Sequence, residues 1–126
     1  MNETPIINTP YIVIQTTQPP YSSSTAIDSI EAALAATNIG IKIIYMFVGD
    51  GVYQLLNEQR SRLISHKSVY KKLNALPLFD VDLLFAQASA IRDNKISLNE
   101  VSLTINVIED AKLVEICAKA QQVLVF

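Results

Sequence analysis

A lone thiol, a lone imidazole and an acidic residue held between two glycines are the groups in this 126-residue chain with chemistry to offer. A reactive thiol sits exposed, close to positive charge or to a helix N-terminus. Cys117 falls late in an expected helix, in phase with Leu113, Ile116 and Ala120, so its spacing points it into the core. His66 stands in a polar stretch beside Ser65 and Lys67, with no second ligand at metal-binding spacing. It reads as a surface histidine, neither a metal ligand nor part of a Ser/His/Asp arrangement. Asp50 lies in the run Val48-Gly49-Asp50-Gly51-Val52-Tyr53-Gln54, where an apolar strand breaks and a helix begins. Its simplest work is to cap free backbone N–H groups, with a binding or catalytic role as the alternative. Gly49 and Gly51 read as tight-turn residues. The trio matches neither a dinucleotide fingerprint nor a phosphate loop, and three glycines in all cannot build a glycine-rich phosphate cradle. No cofactor and no metal are expected.

Composition bounds the elements that must position these groups. Half the residues are apolar, 17% are charged and the net charge is −2, which gives no long-range pull toward nucleic acid. The mean hydropathy of +0.28 is oily for a soluble domain and favours a buried subunit interface. The longest oily stretch, Ile39 to Val48, is broken by Lys42 and is too short to cross a bilayer. The first residues lack the positive start and apolar run of a secretory signal, and a single cysteine suits a reducing cytoplasm.

Residues 1–9 read as a loose lead-in and 10–126 as one α/β domain. The β-branched run Tyr11 to Thr16 is a first strand, followed by a loop rich in proline and serine. Thr25 with Asp28 forms a helix-start box, and the helix to about Thr37 carries Ile27, Ile30 and Leu34 on one face before Asn38-Ile39-Gly40 ends it. Ile41 to Val48 is a second strand, leading into the Gly-Asp-Gly turn and a short helix bearing Val52, Leu55 and Leu56. Val69, Leu73 and Leu76 mark a helix stopped by Pro77; Val81 to Ala86 is a third strand, with a turn and helix over 87–93. Leu103 to Ile108 alternates as a fourth strand, and Val123 to Phe126 closes as a fifth. Strands separated by helices predict a three-layer α/β/α domain with about five mostly parallel strands; their order cannot be read from the pattern.

Open α/β sheets place function at the carboxyl ends of their strands. That end gathers the loops around Tyr21, around Asp50, Gly51 and Tyr53, and around Gln87 and Ser89, which are the expected pocket or interface residues. Tyr21 and Tyr53 fit half-exposed interface anchors and fit core or edge packing equally well. The locally basic segment Arg60 to Lys72 is a solvated face or a docking patch for an acidic partner or RNA phosphate. Tyr70 alone makes no stacking platform, so direct nucleic-acid contact is not expected.

Four stretches, in order, resemble the DsrE/DsrF-like family, and within it the TusC/DsrF subunits. They are the first strand with Pro19-Pro20-Tyr21 and its alanine-rich helix; Val48 to Leu56; Tyr70-Lys71-Lys72-Leu73 leading to Leu78-Phe79-Asp80-Val81; and Val123 to Phe126. The second is the most specific. The resemblance implies a sulfur-relay fold in which relatives that carry sulfur hold a persulfide on a cysteine near the end of the third strand. The matching residues 83–90 contain none, and Gln87 or its neighbour stands in that place. The implied role is a non-catalytic subunit of a cytoplasmic hetero-oligomer with DsrE/TusD-like and DsrH/TusB-like chains, or with copies of itself. Such assemblies serve tRNA 2-thiouridine synthesis or intracellular sulfur oxidation. The competing expectations are a stand-alone sulfurtransferase using Cys117 and a flavodoxin-like small-ligand-binding module.

Overall fold

Five β-branched or aromatic runs alternate with stretches of helical periodicity, and the architecture follows from that alternation. The computed structural model describes residues 7–20, 24–56, 64–99 and 101–126. Its strands are β1 (Ile12–Thr16), β2 (Ile43–Phe47), β3 (Leu83–Gln87), β4 (Asn106–Ile108) and β5 (Gln122–Val125). The α-helices are α1 (Thr25–Asn38), α2 (Ile64–Ala75), α3 (Ala88–Asp93) and α4 (Asp110–Ala118), with 3-10 turns at Gly49–Leu55 and Leu76–Phe79. All strands are parallel, in the order β4-β3-β2-β1-β5.

That order explains the layering. Three right-handed steps in one direction put α1, α2 and α3 on one face, and the single return step from β4 to β5 puts α4 on the other. Two cores result. Ile14, Ile30, Tyr45, Phe47, Leu73 and Leu84 pack under the three helices, while Tyr11, Val13, Ile44, Met46, Phe85 and Ile116 pack under α4. β2 (IIYMF) is buried along its whole length, as a strand covered on both faces requires. The expected three-layer α/β/α fold is therefore present, with its helices shared three to one.

Several boundaries differ from those read in the sequence. The fourth strand shortens to its last three residues, because only Asn106, Val107 and Ile108 reach a partner on β3. The start of α1 moves back one residue: Ser24 is the N-cap, its carbonyl accepts the Asp28 N–H at 2.9 Å, and the Thr25–Asp28 box does not form. The buried stripe of α1 is Ala26, Ser29, Ile30 and Ala33, with Ile27 and Leu34 only half-buried at its flanks. Small residues on that stripe let the helix lie close to the sheet.

Candidate functional site

The register sets the strand ends side by side, with Thr16 beside Phe47, Phe47 beside Ala86 and Gln87 beside Ile108. Everything that follows a strand therefore emerges on one surface. The Val48 N–H donates to Thr16 O at 3.1 Å, pulling the Gly-Asp-Gly turn against β1. A Cβ on Gly51 would sit 2.0 Å from Thr16 O, so only glycine fits there. Gly49 bends the chain with φ +55°, a left-handed conformation that glycine adopts freely.

Gln87 ends β3 and ties three strands together. Its Oε1 accepts the Gly49 N–H at 3.0 Å, and its Nε2 donates to Asp110 Oδ1 at 3.1 Å. Ser89 Oγ donates to the same carboxylate oxygen at 3.3 Å. Asp110 opens α4 directly after β4, so an amide, a hydroxyl and a carboxylate lock the ends of β2, β3 and β4. Nearby Arg92 grips Glu109 through two hydrogen bonds of 3.1 and 3.2 Å, and this pairing raises the guanidinium pKa.

A second polar network runs beneath the end of β1. Buried Gln54 donates from Nε2 to Thr16 Oγ1 and to Gln18 O, both at 2.8 Å. Among the described residues its Oε1 is buried without a hydrogen-bond partner. Ser29 Oγ donates to Ala26 O at 2.7 Å and lies 2.6 Å from the Tyr45 hydroxyl and 3.2 Å from Thr16 Oγ1. A carbonyl only accepts, so the single Ser29 proton goes to Ala26 and the Tyr45 phenol donates to Ser29. Burial pushes the Tyr45 pKa well above its ordinary value.

The expected site residues thus divide. Gln87, Ser89 and Gly51 meet at the carboxyl end; Tyr21 lies outside the described residues. Half-buried Tyr53 donates to Asn94 Oδ1 at 2.7 Å and fastens the 3-10 turn to the end of α3. Asp50 is exposed and does not cap: the N-cap position of the turn is Val48, with no side-chain cap bond. The first N–H of the turn, that of Gly49, is taken instead by Gln87 Oε1. Cys117 packs against the α4-side core yet is half-exposed, contrary to full burial, because it lies on the flank of α4. Its Sγ accepts from Gln15 Nε2 at 3.2 Å and lies 4.0 Å from Met46 Sδ. His66 is in α2, its side chain outside the described part; of the basic segment, residues 60–63 are outside it too, and Lys71 is exposed on α2. Asp110, Gln54 and Asn94 were missed; the one sequence signal was an acidic residue opening the helix after β4.

Chemically, the described carboxyl-end residues offer amides, hydroxyls and carboxylates but no thiol. No group of three or more His, Cys, Asp or Glu among them is placed to hold a metal ion, and none of their helices is long and apolar enough to cross a membrane. A groove of about 700 Å³, lined by Thr9, Gly40, Lys42, Asp82 and Gln121, opens at the amino ends of the strands instead.

A family model described as the DsrE/DsrF-like family matches residues 11–126. The chain is 27% identical over 113 residues to a Pseudomonas aeruginosa protein named Protein TusC homolog, covering 90% of this chain and 95% of the relative. It is 32% identical over 74 residues to Protein TusC of Klebsiella pneumoniae, covering 59% of this chain and 62% of that protein. The crystal structure of the ychN protein from E. coli superposes with a TM-score of 0.78 at 19% identity, over 94% of this chain and 100% of that one, a likeness of fold.

Proposed function

The chain belongs to the DsrE/DsrF-like family, and from that membership we propose that it is a TusC/DsrF-like subunit of a cytoplasmic sulfur-relay assembly, not itself a sulfur carrier. Residues 10–126 form its one folded unit. It works beside cysteine-bearing DsrE/TusD-like and DsrH/TusB-like chains, in tRNA 2-thiouridine synthesis or intracellular sulfur oxidation.

One observation carries this reading. Gln87 or its neighbour stands where the resemblance places a persulfide-bearing cysteine, and both ends of the Gln87 amide are occupied by Gly49 and Asp110. A persulfide needs a sulfur nucleophile, which an amide does not supply. The one thiol of the chain, Cys117, sits on α4 over β1 and β2, engaged by Gln15. The chain therefore contributes surface and rigidity and leaves the sulfur to a companion.

The test is transfer of labelled sulfane sulfur from a cysteine desulfurase to the purified chain, alone and with a DsrE/TusD-like partner. Label should reach the partner's cysteine and leave this chain unmodified. Stable label on this chain alone, mapped to Cys117 by mass spectrometry, overturns the reading in favour of a stand-alone sulfurtransferase, which the half-exposure of Cys117 would permit.

A further inference from the structure

The two borders of the sheet are unlike one another. β4 is a three-residue strand, and Asn106 Nδ2 turns back to donate to Leu84 O at 3.1 Å. β5 is longer, and Phe126 continues it: the Phe126 N–H donates to Gln15 O and Phe126 O accepts from Thr17 N–H, both at 2.9 Å. Among the described residues β5 pairs only with β1, so alternate N–H and C=O groups on its other side are free for another strand. Proteins guard such borders with charge, proline or a bulge. Residues 121–126 contain no Lys, Arg, Asp, Glu or Pro, and Val125 is 63% exposed.

We propose that the β5 border is a self-pairing surface, on which a second copy of this chain adds its own β5 in antiparallel register about a two-fold axis. The occupant follows from the makeup of the strand. A two-fold axis sets each residue of the segment against another from the same segment, and a charged border would then oppose like with like. This segment is uncharged and apolar at its centre, so Val123, Leu124 and Val125 meet apolar counterparts and the two sheets join as one. Pairing a few residues buries little area, so the association is concentration-dependent. The inference rests on the reading of the chain as a subunit and names one surface by which it assembles.

Sedimentation velocity across a dilution series of the whole chain tests it, with circular dichroism confirming the fold of each variant. The unaltered chain should show a monomer–dimer equilibrium. Val125→Lys and Val125→Glu should each weaken it by roughly tenfold or more, because each places like charges near the axis. Val107→Lys, at the opposite border, should leave it unchanged. Amide exchange at β5 should slow with concentration in the unaltered chain and not in Val125→Lys. A strictly monomeric unaltered chain overturns the proposal, as does a dimer indifferent to the β5 variants. In the second case the subunit reading stands and only the surface fails; in the first, mixing with a DsrE/TusD-like chain decides the subunit reading separately.

Discussion

Tyr45 illustrates how a polar atom is kept in an apolar core. Its ring meets Phe47 edge-on at 5.3 Å, and its phenol reaches Ser29 at 2.6 Å. Desolvation by burial raises its pKa in the fold. A raised folded pKa means that the protonated phenol stabilises the fold fully below the ordinary value of 10.0, and that this contribution is lost as pH rises from there toward the folded value. Tyr45→Phe should cost about 1 kcal/mol near neutral pH by deleting one buried hydrogen bond. Above pH ~10 its disadvantage should shrink by up to ~1.4 kcal/mol per pH unit, since phenylalanine has no proton to lose. Urea unfolding of both proteins across that range measures it; a constant gap would mean that the phenol is not held neutral. The same scale explains Gln54 and Gln87. Neither amide has a reactive group to flag it, and each earns its place only through partners far along the chain, Thr16 and Gln18 for one, Gly49 and Asp110 for the other.

Helix endings show which parts of the fold a sequence announces. α1 closes with Gly40 at φ +81°, its N–H on Thr37 O and the next, Ile41, on Ala36 O. The same paired bonds close α3 at Lys95 and the Leu76–Phe79 turn at Asp80, both with positive φ. Only the first wears a glycine; the stop at Pro77 was legible from its proline, while the closures at Lys95 and Asp80 were not. Exposed Lys95, at φ +54°, carries the strain of a left-handed side-chain residue. Lys95→Gly should therefore raise stability by up to ~1 kcal/mol, seen as a higher denaturant midpoint with an unchanged slope. A lower midpoint would mean that the side chain or the entropy of the unfolded chain outweighs the conformational relief. The five strands were legible because β-branched and aromatic runs have few other uses, and the Gly-Asp-Gly turn because it interrupts one of them. Strand order, the capping residue of α1 and the idle carboxylate of Asp50 were not, since each depends on which segments become neighbours. The candidate site was half legible: Gln87, Ser89 and Gly51 stand where the strand ends meet, while Asp110, which joins two of them, comes from a helix that is remote in sequence.

On the scale of the molecule, apolar side chains remain outside the two cores. Ile39 is 76% exposed, Leu78 81% and Phe79 54%, and α1 packs against the turn that bears the last two. Large exposed apolar residues gathered near one end of a sheet are uncommon in a chain that works alone. They are at the amino ends of the strands, away from the Gln87–Asp110 lock, so a companion chain could cover them without touching the carboxyl-end surface. A partner that binds only the folded form stabilises it by RT ln(1 + [L]/Kd), about 2.7 kcal/mol at a hundredfold excess over Kd. For a domain of this size that corresponds to a rise in Tm of roughly 10 °C. Differential scanning calorimetry of the chain with increasing DsrE/TusD-like partner should show its transition climbing with partner concentration. Leu78→Ser, which removes only exposed surface, should leave the Tm of the isolated chain almost unchanged while reducing that climb. If saturating partner leaves the transition where it was, the chain is not a subunit of such an assembly; if Leu78→Ser climbs like the unaltered chain, the contact lies elsewhere on the molecule.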